Sequence, residues 1–363
     1  MVDCANGTIS NNEPYRNMVE VRDDLQLMLD KPSIYLHDQD MGILSTTGLQ
    51  CGGTVFGRND ELSTIIDAYQ RSVTGESELV TLSSQSGTAK SMLAREFGNY
   101  VVSNGGILLF GKFDQLQQDK PLSALASAFD HYCGILVQSC ELRQKLAHQV
   151  IYVLGMEAYH LAKLIPNLAN ILGLGMMHLI NHDEDCINAR KRLQYLLCRF
   201  AEVLSSTFAA PVTLFLDDVQ WADPASIAAV NQLLLTSGSQ WPRLSNTPFF
   251  FLGCYREGEN SCNPFWRAMC NSNLLNGRST NIKLDCMGED TLNTMVSETL
   301  RLSPRLTRPL SSIIYHKTKG NPRFVSRLMM SLSKEGLLRP SLRRGRWEWD
   351  EEEILCQTLP DDT

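Results

Sequence analysis

Short, mostly apolar runs recur along the chain at residues 79–83, 107–113, 212–217, 248–255 and 281–284. Runs of this length without polar alternation predict strands buried on both faces, as in a parallel sheet. Between them the apolar positions return at helical spacing. Asn59 or Asp60 caps a helix carrying Leu62, Ile65, Ile66 and Tyr69. Further helices are predicted from Lys90 to about Asn104 and from Pro224 to Leu235. Strand, helix, strand in this order means an α/β fold with a five-stranded, mainly parallel sheet. From 121 to 206 the pattern is helical, clearest at Asp130–Leu164 and Ala189–Leu204, and reads as a long insertion into a core spanning 51–286. Residues 287–338 are again helical, with a Gly-Asn-Pro break at 320–322, and predict a C-terminal helical lid. Residues 339–363 contain an arginine-rich turn and a short strand at Arg346–Asp350, the truncated start of a further unit of winged-helix kind. Residues 1–50 are polar apart from one helical stretch, Val19–Leu29, and read as a partly ordered arm.

With 43% hydrophobic and 20% charged residues, the 363-residue chain has the composition of a soluble globular protein large enough for two or more packed units. The N-terminus lacks the apolar core of a signal peptide, and the stretch Leu161–Ile180 is broken by Lys163, Pro166, Asn167 and Asn170, so no membrane span is expected. Eleven cysteines without zinc spacing suggest reduced thiols and a cytoplasmic setting. The net charge of −7 argues against indiscriminate nucleic-acid binding, yet residues 301–346 hold twelve Lys or Arg against one acid, and 347–363 hold seven acids and no base. Two readings follow: the opposed blocks attract each other or the acidic core, or the basic stretch is a phosphate or nucleic-acid surface.

The chemistry concentrates where predicted strands end. Residues 79–91, LVTLSSQSGTAKS, run from a strand through a loop into a helix opened by Lys90 and Ser91, the last two positions of a Walker A motif. Backbone N–H groups of Ser86, Gly87, Thr88 and Ala89 would cradle phosphate at the helix N-terminus, with Lys90 reaching the outer phosphates and Ser91 ligating Mg2+. Ser84 and Ala89 stand where the strict pattern has glycine; a positive φ at Ala89 would cost about 1 to 2 kcal/mol. Residues 211–223, PVTLFLDDVQWAD, form a buried strand delivering paired carboxylates, a Walker B pattern. Asp217 would hold Mg2+, and Asp218 would orient or deprotonate the attacking water. Arg256, ending the next strand, reads either as a γ-phosphate sensor or as a surface arginine. Pro322, in the Gly-Asn-Pro turn, faces adenine or simply starts a new helix, and Arg58 is placed on the adenine side.

The order of these pieces resembles the AAA-type ATPase domain related to origin-recognition proteins, in the form carried by signal-transduction ATPases with numerous domains, the STAND class. The resemblance covers about residues 55–355 and rests on FGRNDEL at 56–62, the phosphate loop, GKFDQ at 111–115, LIPNL at 164–168, LFLDDVQWAD at 214–223, LGCYRE at 252–257, KGNPRFV at 319–325 and GRWEWD at 345–350. GKFDQ and DDVQWAD are especially similar to versions fused to large signalling kinases and nucleotide cyclases. The resemblance implies a P-loop NTPase in which Lys90 and Ser91 bind phosphate and Mg2+, Asp217 and Asp218 are the metal and water carboxylates, Arg256 is the sensor and Pro322 faces adenine. The TAKS sequence is similar to that of minichromosome-maintenance helicases, where Ala also precedes Lys; Ser84 has no such parallel.

Together these readings predict an ATP-binding signalling switch that slowly hydrolyses ATP to ADP and couples nucleotide state to lid orientation and to contact with a protein partner or a fused kinase or cyclase module. One alternative is a nucleic-acid-engaging AAA protein that uses the basic segment 301–346, with binding lost when Arg343, Arg344 and Arg346 are neutralised. Another is a hydrolysis-dead scaffold in which Ser84 and Ala89 mark a lost site.

Overall fold

The computed structural model describes residues 15–36, 49, 55–74, 77–117, 120–173, 186–234, 249–257, 278–341 and 346–357. They form two compact units: a sheet unit of residues 60–86 and 90–284, and a helical unit made from the N-terminal 59 residues, 87–89 and 285–363. The arginine-rich turn, with Arg343 and Arg344, lies outside the described residues.

The sheet unit is built on five parallel strands, β1 (Glu78–Ser84), β2 (Ile107–Lys112), β3 (Val212–Asp217), β4 (Phe249–Arg256) and β5 (Ser279–Lys283), in the order β2-β3-β4-β1-β5. Every residue of β1 and β3 is buried, the mainly apolar and β-branched centres of both strands suiting interior positions. Alternation divides the side chains between two layers. On one face Phe250 meets Phe97 and Tyr69 of the helices Lys90–Ser103 and Asn59–Val73, with ring centroids 5.3 and 5.6 Å away. On the other, Leu109, Leu214, Leu216 and Phe251 share one core with Phe129, Leu168 and Phe200 from the helical run between β2 and β3. That run is therefore an insertion in sequence but a full structural layer in packing.

The run is more broken than its periodicity predicts. The stretch expected as Asp130–Leu164 is divided into the helices Ser123–Val137, Cys140–Leu154 and Ala158–Leu164. Ser139 starts the second by accepting the Leu142 N–H at 3.5 Å, and Gly155, at φ +53°, ends it. The LIPNL segment opens the following helix, Pro166–Leu172, where the Asn167 N–H donates to Asp130 at 2.7 Å.

In the helical unit, the helices Glu289–Leu300, Pro304–Thr318 and Pro322–Lys334 bury Leu292, Leu310 and Leu328 together with Leu338, Trp347 and Trp349 of an antiparallel hairpin, β6 (Leu338–Ser341) and β7 (Arg346–Trp349). The Gly-Asn-Pro break is a helix stop joined to a helix start. Gly320 takes φ +73°, Asn321 accepts the Arg323 N–H at 3.1 Å as an N-cap, and Pro322 occupies the first turn. The N-terminal helix Met18–Asp30 packs in the same unit. Glu20 pairs with Arg308 at 2.6 Å, and Asp24 lies 3.9 Å from Arg305 and accepts the Ser303 hydroxyl at 2.5 Å. These two acids on the basic stretch come from the N-terminal arm.

Candidate functional site

The parallel register lines up the carboxyl ends of four strands: Lys112 stands opposite Asp217, and Ser84 opposite Arg256. β1 then turns through residues 85–89 into the helix Lys90–Ser103. The turn uses positive φ twice, +85° at Gly87 and +68° at Ala89. Glycine meets the first without cost, whereas alanine in the left-handed region is strained by about 1 to 2 kcal/mol. Ala89→Gly is accordingly expected to raise folding stability by about 1 kcal/mol, measured as a shift in urea midpoint at unchanged m-value.

Lys90 is only 8% exposed. Its ammonium donates to Ser84 O at 3.2 Å, Ser84 Oγ at 2.6 Å and Gln85 O at 3.1 Å. Burial pulls its pKa below the usual lysine value; the approach of Arg256 acts in the same direction, and Cys254, Asp217 and Asp218 oppose it. The next residue, Ser91, donates its hydroxyl to Asp217 Oδ2 at 2.8 Å, so the helix start and the end of β3 are already joined. A serine hydroxyl beside a carboxylate is a hard-oxygen donor set suited to Mg2+. Among the described residues no group of three or more His, Cys, Asp or Glu is arranged to hold a metal by itself.

Asp218 turns back into the site through a left-handed backbone (φ 53°, ψ 44°), a conformation that Asp tolerates better than most residues. Its carboxylate is gripped from both sides. Lys112 Nζ lies 3.3 Å from Oδ2, Arg256 Nε lies 3.4 Å from Oδ1, and the Gln220 amide donates to Oδ1 at 3.0 Å. Gln220 also accepts the backbone N–H of Arg256 at 3.4 Å, tying the end of β4 to the acid. Asp223 caps the helix Pro224–Leu234 by accepting the Ser226 N–H at 2.9 Å, and it takes the Leu122 N–H at 3.3 Å. Ser84, Lys112, Gln220 and Asp223 thus join the residues foreseen from sequence. Three of them lay inside quoted motifs, GKFDQ and DDVQWAD, where only the leading acids had been given roles.

Residues 54–245, just over half of the chain, match the sequence pattern of the AAA ATPase domain. The chain belongs to this family. A curated relative, hybrid signal transduction histidine kinase G of Dictyostelium discoideum, is 24% identical over 85% of the chain, which spans 10% of that protein's length. Solved structures similar in fold include the Aeropyrum pernix ORC2 protein in its ADP form, at 10% identity, covering 85% of this chain and 70% of that one with a TM-score of 0.49. Another is Cdc6p from Pyrobaculum aerophilum, at 10% identity, 82% and 67% coverage and a TM-score of 0.43.

Within this AAA ATPase module the sheet unit brings together Ser86, Lys90, Ser91, Asp217, Asp218 and Arg256. Gly87, Thr88, Ala89, Arg58 and Pro322 cluster with the helical unit. Arg58 is buried there and donates to the backbone carbonyl of Asp285. No helix among the described residues is long and apolar enough to cross a membrane.

Proposed function

We propose that this AAA module is an ATP-binding, slowly hydrolysing switch of the signal-transduction ATPase class. The observation that carries the reading is the double engagement of Asp218, whose two carboxylate oxygens face Lys112 and Arg256 beside a loop lysine and a Ser91–Asp217 pair. Lys90, desolvated and cationic, binds the outer phosphates; residues 86–89 offer backbone N–H groups; Pro322 and Arg58 serve the adenine side. Ser91 and Asp217 would hold Mg2+, which supplies charge neutralisation along the phosphates. Arg256 exchanges Asp218 for the γ-phosphate when ATP enters, which leaves Asp218 able to take a proton from the attacking water. Hydrolysis is slow because that carboxylate starts out paired with two cations and an amide.

A preference between ATP and ADP is what allows a nucleotide to shift a conformational equilibrium. The name of the Dictyostelium relative, a signal transduction histidine kinase, supports a signalling partner or a fused module as the recipient. Isothermal calorimetry with Mg-ATP and Mg-ADP tests the switch: a difference of tenfold or more is expected with Arg256 intact, reduced in Arg256→Met. Equal affinities in the wild-type protein would sink the reading. The nucleic-acid alternative finds less support, since Arg305 and Arg308 of the basic stretch already face Asp24 and Glu20.

A further inference from the structure

The side chain at position 84, where a phosphate-binding loop ordinarily has glycine, is fully buried and engaged. Its one hydroxyl hydrogen is committed to Gln85 O at 2.9 Å. A hydroxyl oxygen also has two lone pairs, and the Lys90 ammonium donates to them at 2.6 Å, the shortest of that group's three contacts. An ammonium has three N–H donors, so the two carbonyls and the Ser84 oxygen together occupy all three. With glycine at this position only the carbonyls would remain.

We propose that Ser84 is an internal competitor for Lys90, a specificity-determining residue that sets how strongly a polyphosphate must bind before the loop accepts it. The inference rests on the ATP-site reading above and deepens it. A phosphate oxygen can recruit Lys90 only by taking over a donor, and the donor to Ser84 Oγ is charge-assisted and out of reach of water, so its loss weighs directly on affinity. Removing the hydroxyl costs both states the bond to Gln85 O, but only the nucleotide-free state loses the Lys90 contact, because in the bound state Lys90 has turned to phosphate. The departure from glycine therefore tunes the site toward weak occupancy without dismantling it.

The test is a double-mutant cycle on the full chain, with dissociation constants for Mg-ATP and Mg-ADP measured by calorimetry in wild type, Ser84→Ala, Lys90→Met and the double variant. Alanine keeps the Cβ and the strand backbone, so only the hydroxyl changes; Ser84→Gly serves as a second variant should alanine fold poorly. Ser84→Ala is expected to bind ATP about tenfold more tightly with Lys90 present, and to change nothing in the Lys90→Met background. Wild-type binding that Lys90→Met abolishes but Ser84→Ala leaves unchanged or weaker would overturn the competitor role and keep the ATP site. Tightening that persists without Lys90 would overturn it as well. Binding in neither wild type nor Ser84→Ala at millimolar nucleotide would overturn both.

Discussion

Magnesium and ATP together are expected to raise the melting temperature of the wild-type chain by several degrees, and Lys90→Met is expected to remove the rise. A ligand that binds only the folded state adds about 2.7 kcal/mol of stability at a hundred times its dissociation constant. For a unit of 150 to 250 residues each kcal/mol moves the midpoint by roughly 2–4 °C. Lys90 is the discriminating position because it is buried and, in the proposed site, it is the cation that meets the phosphates. A second signature follows from its lowered pKa. Below the folded-state pKa both states carry the charge and the burial penalty is fully present. As pH rises from that value toward the unfolded one, the unfolded chain holds more protons, so the nucleotide-free protein gains stability. Lys90→Met should flatten this alkaline gain while leaving the nucleotide-free melting temperature at neutral pH unchanged or higher. A thermal shift with ATP that survives Lys90→Met would place the nucleotide elsewhere.

The largest loss of stability from a single methyl group is expected at Gly320. Its φ of +73° alone would cost an alanine about 1 to 2 kcal/mol. A Cβ there would also sit 2.0 Å from the backbone oxygen of Met287, which cannot swing aside as a side-chain tip could. The Met287 N–H donates to Gly320 O at 2.9 Å, so relieving the clash also breaks that bond. Gly320→Ala should therefore destabilise the helical unit by roughly 3 kcal/mol or more. Gly336 is the control, since it lies in the same unit at φ +76° with nothing within 4 Å of an added Cβ. Gly336→Ala should lose only about 1 kcal/mol, the conformational term. Denaturation followed by fluorescence of the buried Trp347 and Trp349 reads both variants; equal losses would show that the Met287 contact has no weight.

The strands were legible because burial on both faces favours apolar and β-branched residues, and the runs at the centres of β1, β3 and β4 record that directly. The Lys90, Ser91 and Asp217 grouping was legible for a related reason, since chemistry at a parallel sheet's carboxyl edge has to follow the last apolar residue of each strand. The helical run between β2 and β3 was less so. Ser139 and Gly155 break it, but serine and glycine are also tolerated inside helices, and only the backbone decides. In sequence Ser84 stands out only as a departure from glycine, because its engagement depends on a lysine six residues later folding back onto it. Lys112 was hidden for the same reason, its partner Asp218 lying more than a hundred residues away in the chain. Charge counting found the basic stretch, whereas the acids facing Arg305 and Arg308 sit near the other end of the sequence.

Asp223 carries a mechanical consequence. One carboxylate grips both the start of the helical layer, through Leu122, and the helix that follows the Asp217–Asp218 turn, through Ser226. Asp218 is five residues upstream, across a single 3-10 turn. A tug on the helical layer therefore arrives at the acid with little slack in between, the way a door's hinge pin passes a push to its latch. Under the switch proposed above, a partner bound to the helical layer would have a short path to Asp218.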